Sequence, residues 1–201
     1  MHAPTAISDP GPVTLSLIST YREQLRDGRR ALYEQCDQGV PVNTLVRALS
    51  ELTDRVLREV WHHHLGDSAH AALAAVGGYG REELHPASDL DILILVEPAA
   101  EATLRDPLER LVTFLWDIGL EVGHSVRSPE ECAIEAARDV TVMTNLMEAR
   151  LLSGSPGLFE RMRTATGPDR IWSSEQFFTA KTEEQQARWH KYGDTAYNLE
   201  P

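Results

Sequence analysis

The chain has 201 residues with 42% hydrophobic and 25% charged residues, a balance that excludes fibrous and disordered classes and fits one globular core with helical additions. Its formal charge of -12, without a stripe of Lys or Arg, argues against a long nucleic acid as partner. No run of about 18 apolar residues is long enough for a membrane span, and the two cysteines, Cys36 and Cys132, suggest neither a disulfide framework nor a zinc site. A reducing cytoplasm is the expected compartment.

Residues 1–13, with Pro4, Pro10, Gly11 and Pro12, read as a flexible leader. A helical segment over 14–66 follows. Its first helix covers about 14–36, and its second starts at Pro41 and runs to about Leu65, with Leu45, Leu49, Leu52, Val56, Leu57 and Val60 on one buried stripe. The run Trp61-His62-His63-His64 ends that helix, where adjacent side chains diverge and cationic groups suit the dipole, so it reads as structural.

A core over 67–140 is expected next. Ala71 to Val76 and the β-branched-rich Leu90 to Val96 read as buried strands on either side of a polar loop. Asp106 and Pro107 predict the cap and first position of a helix through Leu115, stopped by Gly119. Leu120 to Val126 is a third strand, and Ser128-Pro129-Glu130-Glu131 has the pattern of a capping box opening a helix to about Ala137.

The remainder, 141–201, is read as helical. Asp139 caps a helix through Leu152 closed by Gly154, Ser155-Pro156 starts a short one, and 174–192 forms a polar helix. The tail from Tyr192 to Pro201 carries no closing element and reads as cut.

The chemistry concentrates in the loop between the first two strands. Asp89 and Asp91 stand two apart at a strand start, so the pleat aims both carboxylates to one face while Leu90 and Ile92 enter the core. Adjacent carboxylates repel and raise each other's pKa, and a cation between them relieves that; Mg2+, or Mn2+, is the hard, oxygen-seeking candidate. Upstream, Gly77 and Gly78 lack Cβ atoms and allow a positive φ and close approach of backbone N–H groups to a phosphate. Arg81 offers a planar fork for phosphate oxygens, and Ser88 a hydroxyl donor.

Gly-Gly, a short loop and Asp-x-Asp on the next strand resemble the nucleotidyltransferase superfamily that includes DNA polymerase beta and the aminoglycoside nucleotidyltransferases. More closely, VGGYGREELHPASDLDILIL at 76–95 and LWDIGLEVGHSVR at 115–127 resemble the amino-terminal domain of the bacterial protein-PII uridylyltransferase family. The strings TVMTNLMEARLLSG and YNLEP resemble it too, extending the likeness to about 15–201.

That resemblance implies an α/β fold, a small mixed sheet of the polymerase-beta-like type flanked by helices, with helical additions at both ends. It implies transfer of UMP from UTP to a tyrosine hydroxyl of the PII nitrogen-regulatory protein, with release of pyrophosphate. Asp89 and Asp91 would carry metals in a two-metal displacement, and Gly77, Gly78, Arg81 and Ser88 would hold the nucleotide.

Many superfamily members supply a third carboxylate from a later strand. Here only Glu121 is available as a further metal ligand, with Gly123, His124 and Ser125 following it; His124 is an alternative site-facing residue. The family's phosphohydrolase domain carries a His-Asp motif, and no His-Asp dipeptide occurs here, so the transferase portion alone is expected. Another nucleotide or acceptor, or a nucleotide-binding module without turnover, stays open on the sequence.

Overall fold

A computed structural model of the chain describes residues 12–86, 88–167 and 170–191. The leader, up to residue 11, and the tail with its YNLEP string lie outside the described residues.

Two long helices come first, α1 (Pro12–Asp37) and α2 (Val42–Leu65), packed as a hairpin. The predicted stripe on α2 is buried from Leu49 to Val60, with Val56 and Val60 fully covered, while Leu45 in the first turn is half-buried. Strand β1 (Ala71–Ala75) follows, then a four-residue helical turn, α3 (Gly77–Gly80), then β2 (Leu90–Val96), α4 (Glu101–Asp117) and β3 (Val122–Arg127). The chain continues through α5 (Pro129–Arg138), α6 (Val140–Met147), β4 (Arg150–Gly154), α7 (Pro156–Ala165) and α8 (Ser174–Lys191). The capping box at Ser128 is complete: its hydroxyl accepts from the Glu131 N–H at 3.1 Å, and its own N–H donates to the Glu131 carboxylate at 2.7 Å.

The strands form one mixed sheet in the order β3-β2-β1-β4, antiparallel except for the parallel pair β2 and β3. Both faces are covered. Leu73, Ile92 and Ile94 face α1, α2 and α4, while Ala72, Ala74, Leu93 and Leu95 face α5, α6 and α7. Double coverage explains why β1 and β2 read as continuous apolar runs instead of alternating ones. Among the described residues no helix is long and apolar enough to cross a membrane.

Two expectations are corrected. The helix read from Asp139 through Leu152 ends at Met147, and 150–154 instead form β4 against β1. A fully buried β1 needs a ladder partner on its second edge, and the apolar Leu151 and Leu152 supply it without breaking the sheet's coverage. The helix predicted to begin at Pro107 begins at Glu101, with Pro107 inside it. Leu104 extends the apolar stripe of Leu108, Leu111 and Leu115 one turn upstream against the core, and that packing outweighs the one hydrogen bond the proline forfeits.

Candidate functional site

The site forms where β1 ends. Val76 leaves the strand with its N–H still bonded to the Asp91 carbonyl at 3.1 Å, and Gly77 then turns the chain with φ of 58°. A side chain there would be strained by backbone alone, and it would also meet its neighbours. The position a Cβ would take at Gly77 lies 3.4 Å from Asn145 Oδ1 and 3.8 Å from Asp91 Oδ2. The first three N–H groups of the turn, at Gly77, Gly78 and Tyr79, donate to no acceptor among the described residues.

Asp91 is the second residue of β2 and the strand's one exposed position, two positions before the buried Leu93 on the same face. In the parallel ladder it pairs with Gly123. A Cβ at Gly123 would lie 2.6 Å from Asp91 Oδ1, so the carboxylate fills the space that a side chain on β3 would need. One oxygen of Asp91 therefore faces the glycine turn and the other faces Gly123. Partial burial raises the Asp91 pKa above its ordinary value, and the charge of Asp89 raises it further. No hydrogen bond offsets this repulsion at either carboxylate among the described residues. A hard cation would, and oxygen donors are what it takes.

The face of β3 beyond Gly123 continues through Ser125 and Arg127, and α6 closes over it with Val142, Asn145 and Leu146. Together with Asp91 these residues line a cavity of about 310 Å³. Asn145, Ser125 and Arg127 were not singled out from sequence. The Asn at 145 lies in a helix whose orientation over the sheet is set by tertiary packing, so no spacing within the sequence could flag it.

The other predicted residues distribute around this centre. Glu121 is exposed and shares a neighbouring cavity with Asp89 and Gly123. Ser88 lines a different one with Leu84, His85, Glu121 and residues of α1 and α2, away from Asn145 and Arg127. Arg81 lies over Gly78, but its guanidinium is already engaged, with Nε 2.8 Å from Glu83 and Nη1 2.7 Å from Glu148. Those hydrogen bonds hold its pKa above the usual value and leave Nη2 facing Gly78.

His124 pairs with Ile92 on the opposite face and stacks edge-on against Trp116 at 5.9 Å, so its ring turns away from Asp91. Among the described residues no group of three or more His, Cys, Asp or Glu side chains is arranged to hold a metal. An ion here would rest on the Asp89 and Asp91 pair, with further oxygens coming from a bound phosphate.

A glycine turn and an acid pair on neighbouring antiparallel strands, in a small mixed sheet with helices on both faces, define a nucleotidyltransferase domain. Residues 26–125 match the family described as "Putative nucleotidyltransferase DUF294", a span that runs from α1 to Ser125 and includes the turn and both aspartates. The chain carries this nucleotidyltransferase domain, and over most of its length it is similar to proteins named bifunctional uridylyltransferase/uridylyl-removing enzyme. It is 47% identical over 187 residues to the enzyme of that name from Pseudomonas fluorescens strain SBW25, covering 92% of this chain and 21% of that protein. The Pseudomonas putida F1 and Pseudomonas aeruginosa PAO1 proteins of the same name are each 46% identical over the same shares. The chain thus spans about a fifth of the length of these curated relatives.

Proposed function

We propose that the chain transfers UMP from UTP to a tyrosine hydroxyl of the PII nitrogen-regulatory protein, with Mg2+ as cofactor and pyrophosphate as the leaving product. The observation that carries the reading is the Asp91 carboxylate, held between Gly77 and Gly123 with Asp89 beside it. Uridylyl transfer in particular comes from the relatives' name.

In this reading Asp89 and Asp91 hold the metal, which when bound neutralises phosphate charge as a Lewis acid. The unbonded N–H groups of Gly77 and Gly78 take phosphate oxygens, because the absence of side chains lets the backbone approach closely. Arg81 adds its free Nη2 from the Gly78 side. Ser125, Arg127 and Asn145 line the cavity next to Asp91 and bind the remainder of the nucleotide. The tyrosine oxygen bonds to the α-phosphorus, the bond to the bridging oxygen breaks, pyrophosphate departs, and the hydroxyl proton passes to solvent. Positioning and charge stabilisation supply the catalysis, with no covalent enzyme intermediate.

Incubating the chain with each of the four nucleoside triphosphates, Mg2+ or Mn2+, and PII or other protein acceptors tests this. Labelling of PII by UTP that stops on chelation is the expected result. Faster labelling from ATP, or of an acceptor unrelated to PII, overturns the choice of substrates while keeping the transfer chemistry.

A further inference from the structure

Asp54 is the only buried charged residue among the described residues, and it lies on α2, outside the strands and loop that form the site. Its Oδ1 accepts from the Tyr79 hydroxyl at 2.7 Å and from Arg150 Nη2 at 3.1 Å; its Oδ2 accepts from Arg150 Nη1 at 2.6 Å and from Arg58 at 2.9 Å. Burial by itself raises the carboxyl pKa, and the hydrogen bonds from Arg150 and Tyr79 outweigh that and hold it below the ordinary value.

Arg150, at the start of β4, spends its remaining donor capacity on the glycine turn. Nε donates to the Gly80 carbonyl at 3.3 Å and Nη2 to the Tyr79 carbonyl at 3.4 Å, with the guanidinium 5.6 Å from the Tyr79 ring centre. One turn before Asp54 on the same helix face, the Ser50 hydroxyl accepts from the Leu84 N–H at 3.2 Å. Helix α2 therefore grips the loop at both ends of 79–84. Gly80 packs so closely on the Glu148 carbonyl that no side chain fits between.

Stability alone does not account for this cluster, since a buried ion pair is generally no more stabilising than apolar residues of the same shape. Its donors converge on two carbonyls of the turn that presents Gly77 to Asp91. We propose that Asp54, Arg150 and Tyr79 are positioning residues for nucleotide binding, fixing the glycine turn at its working distance from Asp91. The assignment rests on the transfer reading above, and it adds three residues that do not touch the nucleotide themselves.

The test uses Tyr79→Phe, Arg150→Lys and Arg150→Met in the 201-residue chain. For each, binding of a non-hydrolysable UTP analogue with Mg2+, the KM values for UTP and PII, kcat and the thermal midpoint are measured, well below that midpoint. Tyr79→Phe keeps the ring and its packing, so it decides the matter even where Arg150→Met fails to fold. The expected result is nucleotide affinity weakened about tenfold in Tyr79→Phe and further in Arg150→Met, with the KM for PII unchanged and partial recovery in Arg150→Lys. A fall in thermal midpoint with nucleotide affinity unchanged in Tyr79→Phe overturns the assignment and leaves the transfer reading standing. A parent chain that binds no nucleoside triphosphate in the presence of Mg2+ overturns the transfer reading, and the assignment with it.

Discussion

The two sides of the site are built on opposite electrostatic plans. At the glycine turn, charges are paired around the buried Asp54, which receives donors from Arg150, Arg58 and Tyr79. At the acid pair, partial burial and the proximity of Asp89 raise the Asp91 pKa, and among the described residues no ion pair or hydrogen bond holds that carboxylate. The first side is complete within the chain; the second becomes favourable only when something positive arrives. On the transfer reading proposed above, the contrast separates a preorganised cradle from a seat that a cation fills, and it tells which substitutions should cost stability and which should cost function.

The largest effect is expected at the seat. Asp91→Asn and Asp89→Asn should each lower UMP transfer by about a thousandfold or more, the several kcal/mol that a metal Lewis acid contributes. Their thermal midpoints should hold or rise, because a like-charge repulsion is removed. Transfer assays and thermal melts on the same samples check both signs, and a variant that melts earlier would break the contrast.

Gly80→Ala should act in the opposite way, destabilising the chain by about 3 kcal/mol because the new methyl has backbone, not a flexible side chain, in its path. Urea unfolding measures it. Arg81→Ala comes next. Removal of its Nη2 donor should weaken UTP binding about tenfold with little change in unfolding midpoint, since its partners Glu83 and Glu148 are partly exposed and such pairs add little stability.

The smallest effect is a pH dependence at the cradle. The Asp54 carboxyl has a folded pKa below its unfolded value of 3.8, so its contribution is fully present above that value and is lost as pH falls through the folded pKa. Urea midpoints of the parent should therefore drop more steeply below pH 3.8 than those of Asp54→Asn. Parallel curves would mean that the clamp contributes nothing to stability.

Much of this was legible without coordinates. The β1 and β2 strands, the capping box at Ser128 and the stripe on α2 follow from local pattern, because period, caps and glycine punctuation act over a few residues. The glycine pair allows a turn with positive φ, which Gly77 adopts and Gly78 does not, while Asp89 precedes β2 and lines a different cavity from Asp91, so strand alternation alone does not place both carboxylates. The segment 150–154 was misread because its neighbours are helical and its strand character is conferred by the vacant edge of β1.

By itself, then, the sequence determined the α2 stripe, the β1 and β2 runs and the glycine turn, features set by contiguous residues, while the mixed sheet and the nucleotidyltransferase class followed from its resemblance to a known family. The tertiary structure decided that Gly123 makes room for Asp91, that Asn145 and Arg127 line the same cavity, and that Asp54 and Arg150, 96 positions apart, lock the turn from behind. Those contacts depend on the parallel pairing of β2 with β3, the seating of α6 over it and the crossing of β4 back beside β1, and no local pattern encodes these placements.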